Sequence, residues 1–186
     1  MKIFISGGCK NGKSYYAQHL AKALQTDKLY YIATMAPVDN EDDERIARHR
    51  QEREGWGFVT IEQPYHIEEV LLCSDHNGSF LLDSVTALLA NEMFSSDGSV
   101  DRLAAERIIQ GLSQVTGAID KIVFVSDYIY SDAIIYDDTT DLYRRSLASI
   151  DRYLAGECDA VLEIAYTGFT IHKGGATINE LCKKIS

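Results

Sequence analysis

The stretch that most constrains this chain lies near its beginning. Lys2-Ile3-Phe4-Ile5-Ser6 is an apolar run with strand character, and it leads directly into Gly7-Gly8-Cys9-Lys10-Asn11-Gly12-Lys13-Ser14. That turn fits the pattern G-x-x-x-x-G-K-[ST], and residues 14–24 (SYYAQHLAKAL) read as the helix after it. Strand, glycine turn and helix are the setting in which this pattern wraps phosphate. Backbone N–H groups and the positive end of the helix dipole then point at one place, where a triphosphate would sit. Every residue from Gly7 through Gly8, Cys9, Lys10, Asn11, Gly12, Lys13 and Ser14 is a candidate for that cradle. Lys13 would reach the outer phosphates, and the Ser14 hydroxyl would hold a magnesium ion. A chance glycine turn is the bland alternative, and the strand before it and the helix after it argue against that.

Length and charge narrow the remaining options. A chain of 186 residues suits one domain, and no linker-like stretch marks a boundary, so residues 1–186 read as a single nucleotide-binding domain. The formal net charge is −10 with Lys and Arg scattered, which disfavours a broad nucleic-acid face, since such a face needs clustered positive charge. Cys9, Cys73, Cys158 and Cys182 lie far apart without a C-x-x-C pair. They read as reduced thiols of a cytoplasmic protein. No signal peptide is expected at Met1-Lys2, and no apolar run approaches the ~20 residues of a membrane span.

Further along, residues 28–34 (KLYYIAT) read as a second buried strand ending near Thr34. A charged helix is expected over 44–54 (ERIARHRQERE), with acidic residues leading it and Arg45 and His49 on one face. His49 reads either as a surface histidine or as a nucleophile or acid/base with arginines beside it to neutralise phosphate. Residues 55–58 break that helix, 59–62 form a short edge strand, and 65–73 a small helix. Residues 79–83 (SFLLD) form a buried strand ending in Asp83. That carboxylate reads as a magnesium ligand, or else Asp83 or Ser84 caps the next helix. Helices are expected over 84–94 and 98–119, a strand over 121–126, and a Tyr- and Asp-rich loop from Asp127 to about Thr140. A helix over 141–155, a strand over 160–165, a hairpin extension over 166–171 and a closing helix over 179–185 complete the pattern. Strands alternating with helices imply an α/β fold, a mostly parallel sheet with helices on both faces. The phosphate loop, Thr34, Asp83 and Asp127 should meet at the carboxyl ends of the strands.

At this point the chain resembles a known family, the bifunctional adenosylcobinamide kinase / adenosylcobinamide-phosphate guanylyltransferases of cobalamin biosynthesis. The residues carrying the likeness run in order: IFISGGCKNGKSYYAQ, LYYIATM, Asp39 and Glu41 before RIARHR, Trp56 before Thr60-Ile61-Glu62, LLDSVTALLAN, and LAGECDAVLEIAYTG. The resemblance implies a P-loop NTPase fold and small-molecule substrates, namely a cobinamide and GTP or ATP, with Mg²⁺. It implies that His49 attacks the α-phosphate of GTP and carries GMP, with Arg50, Glu62 and Asp83 at the guanine-nucleotide site. It also implies a homo-oligomer, a trimer. The departures lie in the second half. Where the family has Val-[ST]-Asn-Glu-Val-Gly, this chain has Val125-Ser126-Asp127-Tyr128-Ile129-Tyr130. Where the family has Phe-Arg-Asp…Gly-x-x-Asn-Gln, it has Tyr143-Arg144-Arg145…Ala148-Ser149-Ile150-Asp151-Arg152. Those family segments help form the cobinamide side. Two other readings therefore stand beside the first: a relative with one activity or another acceptor, and a non-catalytic nucleotide-binding protein.

Overall fold

The computed structural model describes residues 1–37, 47, 50–51, 53–166 and 168–185, and of these the side chains of 182, 184 and 185 are not described. Within them, seven strands form one sheet. They are β1 (Lys2–Gly7), β2 (Leu29–Ala33), β3 (Phe58–Glu62), β4 (Ser79–Asp83), β5 (Ile122–Asp127), β6 (Ala160–Ala165) and β7 (Gly168–Lys173). The helices are α1 (Lys13–Ala23), α2 (Val70–Cys73, after a 3₁₀ turn at Ile67–Glu69), α3 (Val85–Met93), α4 (Ala104–Ala118), α5 (Asp138–Glu157) and α6 (Gly175–Ile185). The sheet order is β3-β2-β4-β5-β1-β6-β7. Every neighbouring pair is parallel except β6 and β7, which are antiparallel. This is the expected α/β, mostly parallel architecture.

Alternation along the strands explains why both faces need helices. On β1, Ile3 and Ile5 point into one core and Phe4 into the other. The first core joins Ile3, Ile5, Leu81, Val123 and Val125 to Ala17, Leu20 and Ala21 of α1 and to Ile178 and Leu181 of α6. The second joins Phe4, Phe80, Leu82 and Phe124 to residues of α3, α4 and α5 such as Leu88, Leu112 and Leu147. Side chains of this kind, when fully buried, contribute roughly 1.5–3 kcal/mol each.

Several boundaries differ from the sequence reading. The helix expected over 98–119 begins at Ala104. The segment before it is pinched by an antiparallel bridge between Phe94 and Val100, with Gly98 in the left-handed region at φ 82°. The helix expected over 141–155 begins at Asp138, because Asp137 caps it: its carboxylate accepts from the N–H groups of Thr139 and Thr140, both at 3.0 Å. The closing helix begins at Gly175 rather than at 179. The hairpin extension is a full seventh strand, with a register shift between Val161 and Leu162. Of the expected charged helix, Ala47, Arg50 and Gln51 are helical.

Candidate functional site

Sheet register brings distant positions into one row. Gly7 pairs with Asp127, Ala33 with both Asp83 and Glu62, and Asp83 with Val125. Since these strands are parallel, all of these residues lie at carboxyl ends, where the chain leaves the sheet. A cleft of about 830 Å³ opens there. One wall is the phosphate loop, from Cys9 to Ser14. The other carries Arg50, Arg53, Trp56 and Glu62, and the floor includes Tyr31, Asp83 and Asp127.

The loop is held by close approach. A Cβ on Gly7 would run into the carbonyl of Ile164 and the amide of Asn11, so only glycine fits there. Asn11 Nδ2 donates to that Ile164 carbonyl, tying the loop to β6, and Asn11 Oδ1 accepts from the Lys13 N–H at 3.3 Å. Gly12, the residue before α1, sits at φ 87°, a conformation costly for any side chain. Lys13 is 6% exposed. Its Nζ donates to Gly8 O at 2.6 Å and to Asp127 Oδ1 at 2.8 Å, with Asn11 Oδ1 at 3.4 Å.

Ser84 is the cap of α3, its hydroxyl oxygen accepting from the Ala87 N–H at 3.2 Å. The Asp83 carboxylate is therefore left to the cleft, where Oδ2 accepts from the Tyr31 hydroxyl at 3.0 Å. The Arg53 guanidinium lies 3.5 Å above the Tyr31 ring, a cation–π contact. Ser14 and Asp83 both line the cleft. Their hydroxyl and carboxylate oxygens are the donors that Mg²⁺ prefers. Among the described residues, no three or more His, Cys, Asp or Glu side chains gather into a metal cage.

Other sequence candidates fall into place unevenly. Arg50 and Glu62 form an ion pair on the cleft wall, at 59% and 65% exposure, where it is free to rearrange around a ligand. Thr34 does not line the cleft. It is fully buried, its hydroxyl donating to Ser84 O and accepting from the Ser84 N–H, both at 2.7 Å. Asn91 donates to Thr34 O and Pro64 O, so both residues brace the chain around the cleft. His49 lies outside the described residues, as do Asp39, Glu41 and Arg45.

Sequence reasoning did not single out Arg53 or a buried polar cluster under the loop. Ser6 and Ser126 are register partners on β1 and β5. The Ser126 and Tyr130 hydroxyls both donate to Asp151 Oδ2 at 3.0 Å. Asp151 is 3% exposed, and burial pushes its carboxyl up to about 7, although those two hydroxyls pull it back. Burial, with the Asp151 charge beside it, also raises the Tyr130 hydroxyl. Asp151 Oδ1 is buried and has no partner among the described residues, and the buried Ser6 hydroxyl lies beside that of Tyr130. The alternation of Ser6 and Ser126 in otherwise apolar strands was the available signal.

Sheet, loop and cleft together define a phosphate-loop α/β protein. Residues 3–172 match the family of cobinamide kinase / cobinamide phosphate guanyltransferase (CobU), and the chain belongs to that family. It is 35% identical over 103 residues to the bifunctional adenosylcobalamin biosynthesis protein CobU of Escherichia coli (strain K12), a match covering 54% of this chain and 55% of that protein. The protein of the same description from Salmonella typhimurium is 26% identical over 173 residues, covering 87% of this chain and 93% of its own. The first match thus spans about half the relative's length. Among solved structures, the flagellar accessory protein FlaH from Methanocaldococcus jannaschii is similar over 92% of this chain and 77% of its own, at a TM-score of 0.43 and 13% identity. No helix among the described residues is long and apolar enough to cross a membrane.

Proposed function

We propose that the cleft binds GTP and that the chain carries out the two reactions its family is named for. In the first, a cobinamide hydroxyl oxygen attacks the γ-phosphorus of a nucleoside triphosphate. The bond to the β–γ bridging oxygen breaks, the nucleoside diphosphate leaves, and the hydroxyl proton passes to solvent. In the second, a ring nitrogen of His49 attacks the α-phosphorus of GTP and expels pyrophosphate. The resulting P–N bond is broken by a phosphate oxygen of cobinamide phosphate, which frees His49 and leaves a cobinamide-GDP.

The observation that carries this reading is the shared cleft. The phosphate loop, Arg50, Glu62 and Asp83, which the family resemblance assigns to one nucleotide, line the same cavity. Catalysis at phosphorus of this kind depends on positioning and charge neutralisation. Lys13 and the loop N–H groups would hold the outer phosphates, Arg50 would turn from Glu62 toward phosphate, and Ser14 and Asp83 would hold Mg²⁺. That ion would supply further neutralisation of phosphate charge. On this reading the chain is a cytoplasmic transferase, assembled as a homotrimer.

A narrower reading has one observation in its favour. Tyr130 lies just beyond β5 and bonds to Asp151, where the family pattern has Gly and Asn. A chain keeping only one activity, or taking another acceptor, would be built this way. Incubating the protein with cobinamide, GTP and Mg²⁺ and weighing the corrinoid by mass spectrometry separates the two. Sequential gain of a phosphate and then of GMP is expected. A single product selects the narrower reading, and no product with GTP binding retained overturns both reactions.

A further inference from the structure

A role for Asp127 rests on the assignment of Lys13 to the outer phosphates of a nucleotide. In the structure the Lys13 ammonium already faces an anion, Asp127 Oδ1 at 2.8 Å. Asp127 is not a loose surface carboxylate. Its N–H donates to Thr86 Oγ1 at 2.8 Å, and the N–H of the next residue, Tyr128, donates to Gly7 O at 2.8 Å. The register pairs Asp127 with Gly7, so strand pairing fixes it at the entrance of the phosphate loop. The Asp127 side chain is 24% exposed and lines the cleft, whereas Lys13 is 6% exposed. One side of the pair is therefore shielded by protein and the other is open to whatever enters.

We propose that Asp127 is a specificity-determining residue that makes the cleft discriminate between a free triphosphate and its divalent-cation complex. Its carboxylate stands where a phosphate oxygen would meet Lys13. A free triphosphate, with about four negative charges near neutral pH, must displace that carboxylate and then remain beside it in a partly shielded site, where like charges repel strongly. A cation-complexed triphosphate carries about two charges fewer. It also brings a positive centre that the displaced carboxylate can face. Asp127 thus penalises the first ligand far more than the second.

Asparagine at this position keeps an oxygen for Lys13 and removes the charge. Isothermal titration calorimetry of the full chain with GTP, in a chelator and in Mg²⁺ at fixed ionic strength, reads the effect directly. Asp127→Asn should bind GTP about tenfold more tightly than wild type in the chelator, about 1.4 kcal/mol. In Mg²⁺ the gain should be absent or reversed, so the ratio of the dissociation constant in chelator to that in Mg²⁺ falls at least about tenfold. Inorganic triphosphate should show the same pattern, which assigns the effect to phosphate charge and not to the base. Asp127→Ser, checked by thermal melting, serves if the asparagine variant is unstable. A ratio unchanged by loss of the charge, with wild-type binding in Mg²⁺ intact, overturns the role of Asp127 alone. Absence of GTP binding by every protein in both conditions overturns the reading of the cleft and this proposal with it.

Discussion

The Asp151→Asn substitution should convert a pH-dependent weakness into a pH-independent one. Asp151 is 3% exposed, and burial lifts its carboxyl to about 7. In an unfolded chain an aspartate titrates near ~4. Between those values the folded chain holds a proton that the unfolded chain has released. Stability from this group is therefore full below about pH 4, declines as pH rises toward about 7, and is flat above. About three decades at about 1.4 kcal/mol each set the limit on the order of 4 kcal/mol. Asparagine keeps an oxygen to accept from the Ser126 and Tyr130 hydroxyls and has no proton to lose. Melting curves measured by circular dichroism from pH 5 to pH 8 should show the variant gaining on wild type as pH rises. That window crosses about two of the three decades, on the order of 3 kcal/mol, so at about 2–4 °C per kcal/mol for a chain of this size the widening is roughly 6–11 °C. Curves that stay parallel, or that diverge toward acid, would refute the assignment of a buried, protonated carboxyl to Asp151.

Two further substitutions probe the loop. Gly7→Ala should lower stability by about 1–3 kcal/mol and weaken GTP binding, because the added methyl meets the Ile164 carbonyl. An unchanged melting temperature with unchanged affinity would show that the loop stands off β6. Lys13→Ala should remain folded by circular dichroism yet bind GTP some 10- to 100-fold more weakly, the size of one lost charge-assisted contact of about 1.5–3 kcal/mol. Full affinity in the folded variant would remove Lys13 from the site.

Much of this architecture is local and therefore legible in the sequence. The apolar run before Gly7, the Gly-Lys-Ser ending and the helix after it are contiguous, and so is Asp83 at the end of SFLLD. The convergence of Thr34, Asp83 and Asp127 at one end of the sheet follows from parallel strands alone. What each residue does there depends on register and side-chain direction, which no single stretch encodes. Thr34 points into the protein and bonds to Ser84, and so braces the cleft from behind. Asp127 meets Lys13 across 114 positions of chain. Arg53 finds Tyr31 because β2 and β3 are neighbours. The Ser6–Ser126–Asp151–Tyr130 cluster needs three elements at once. The start of α5 differs from the expected one because a side chain decides it: the Asp137 carboxylate begins that helix three residues early.

Attack by His49 on one GTP, seated between the phosphate loop and the Arg50–Glu62 wall, is the step on which the proposed chemistry turns. Incubation with α-labelled GTP and Mg²⁺, then denaturation and electrophoresis, tests it most directly. The wild-type chain should carry label that is acid-labile, is lost in His49→Ala, and is discharged by cobinamide phosphate. Absence of label on a wild-type chain that binds GTP, or equal label on His49→Ala, would contradict it.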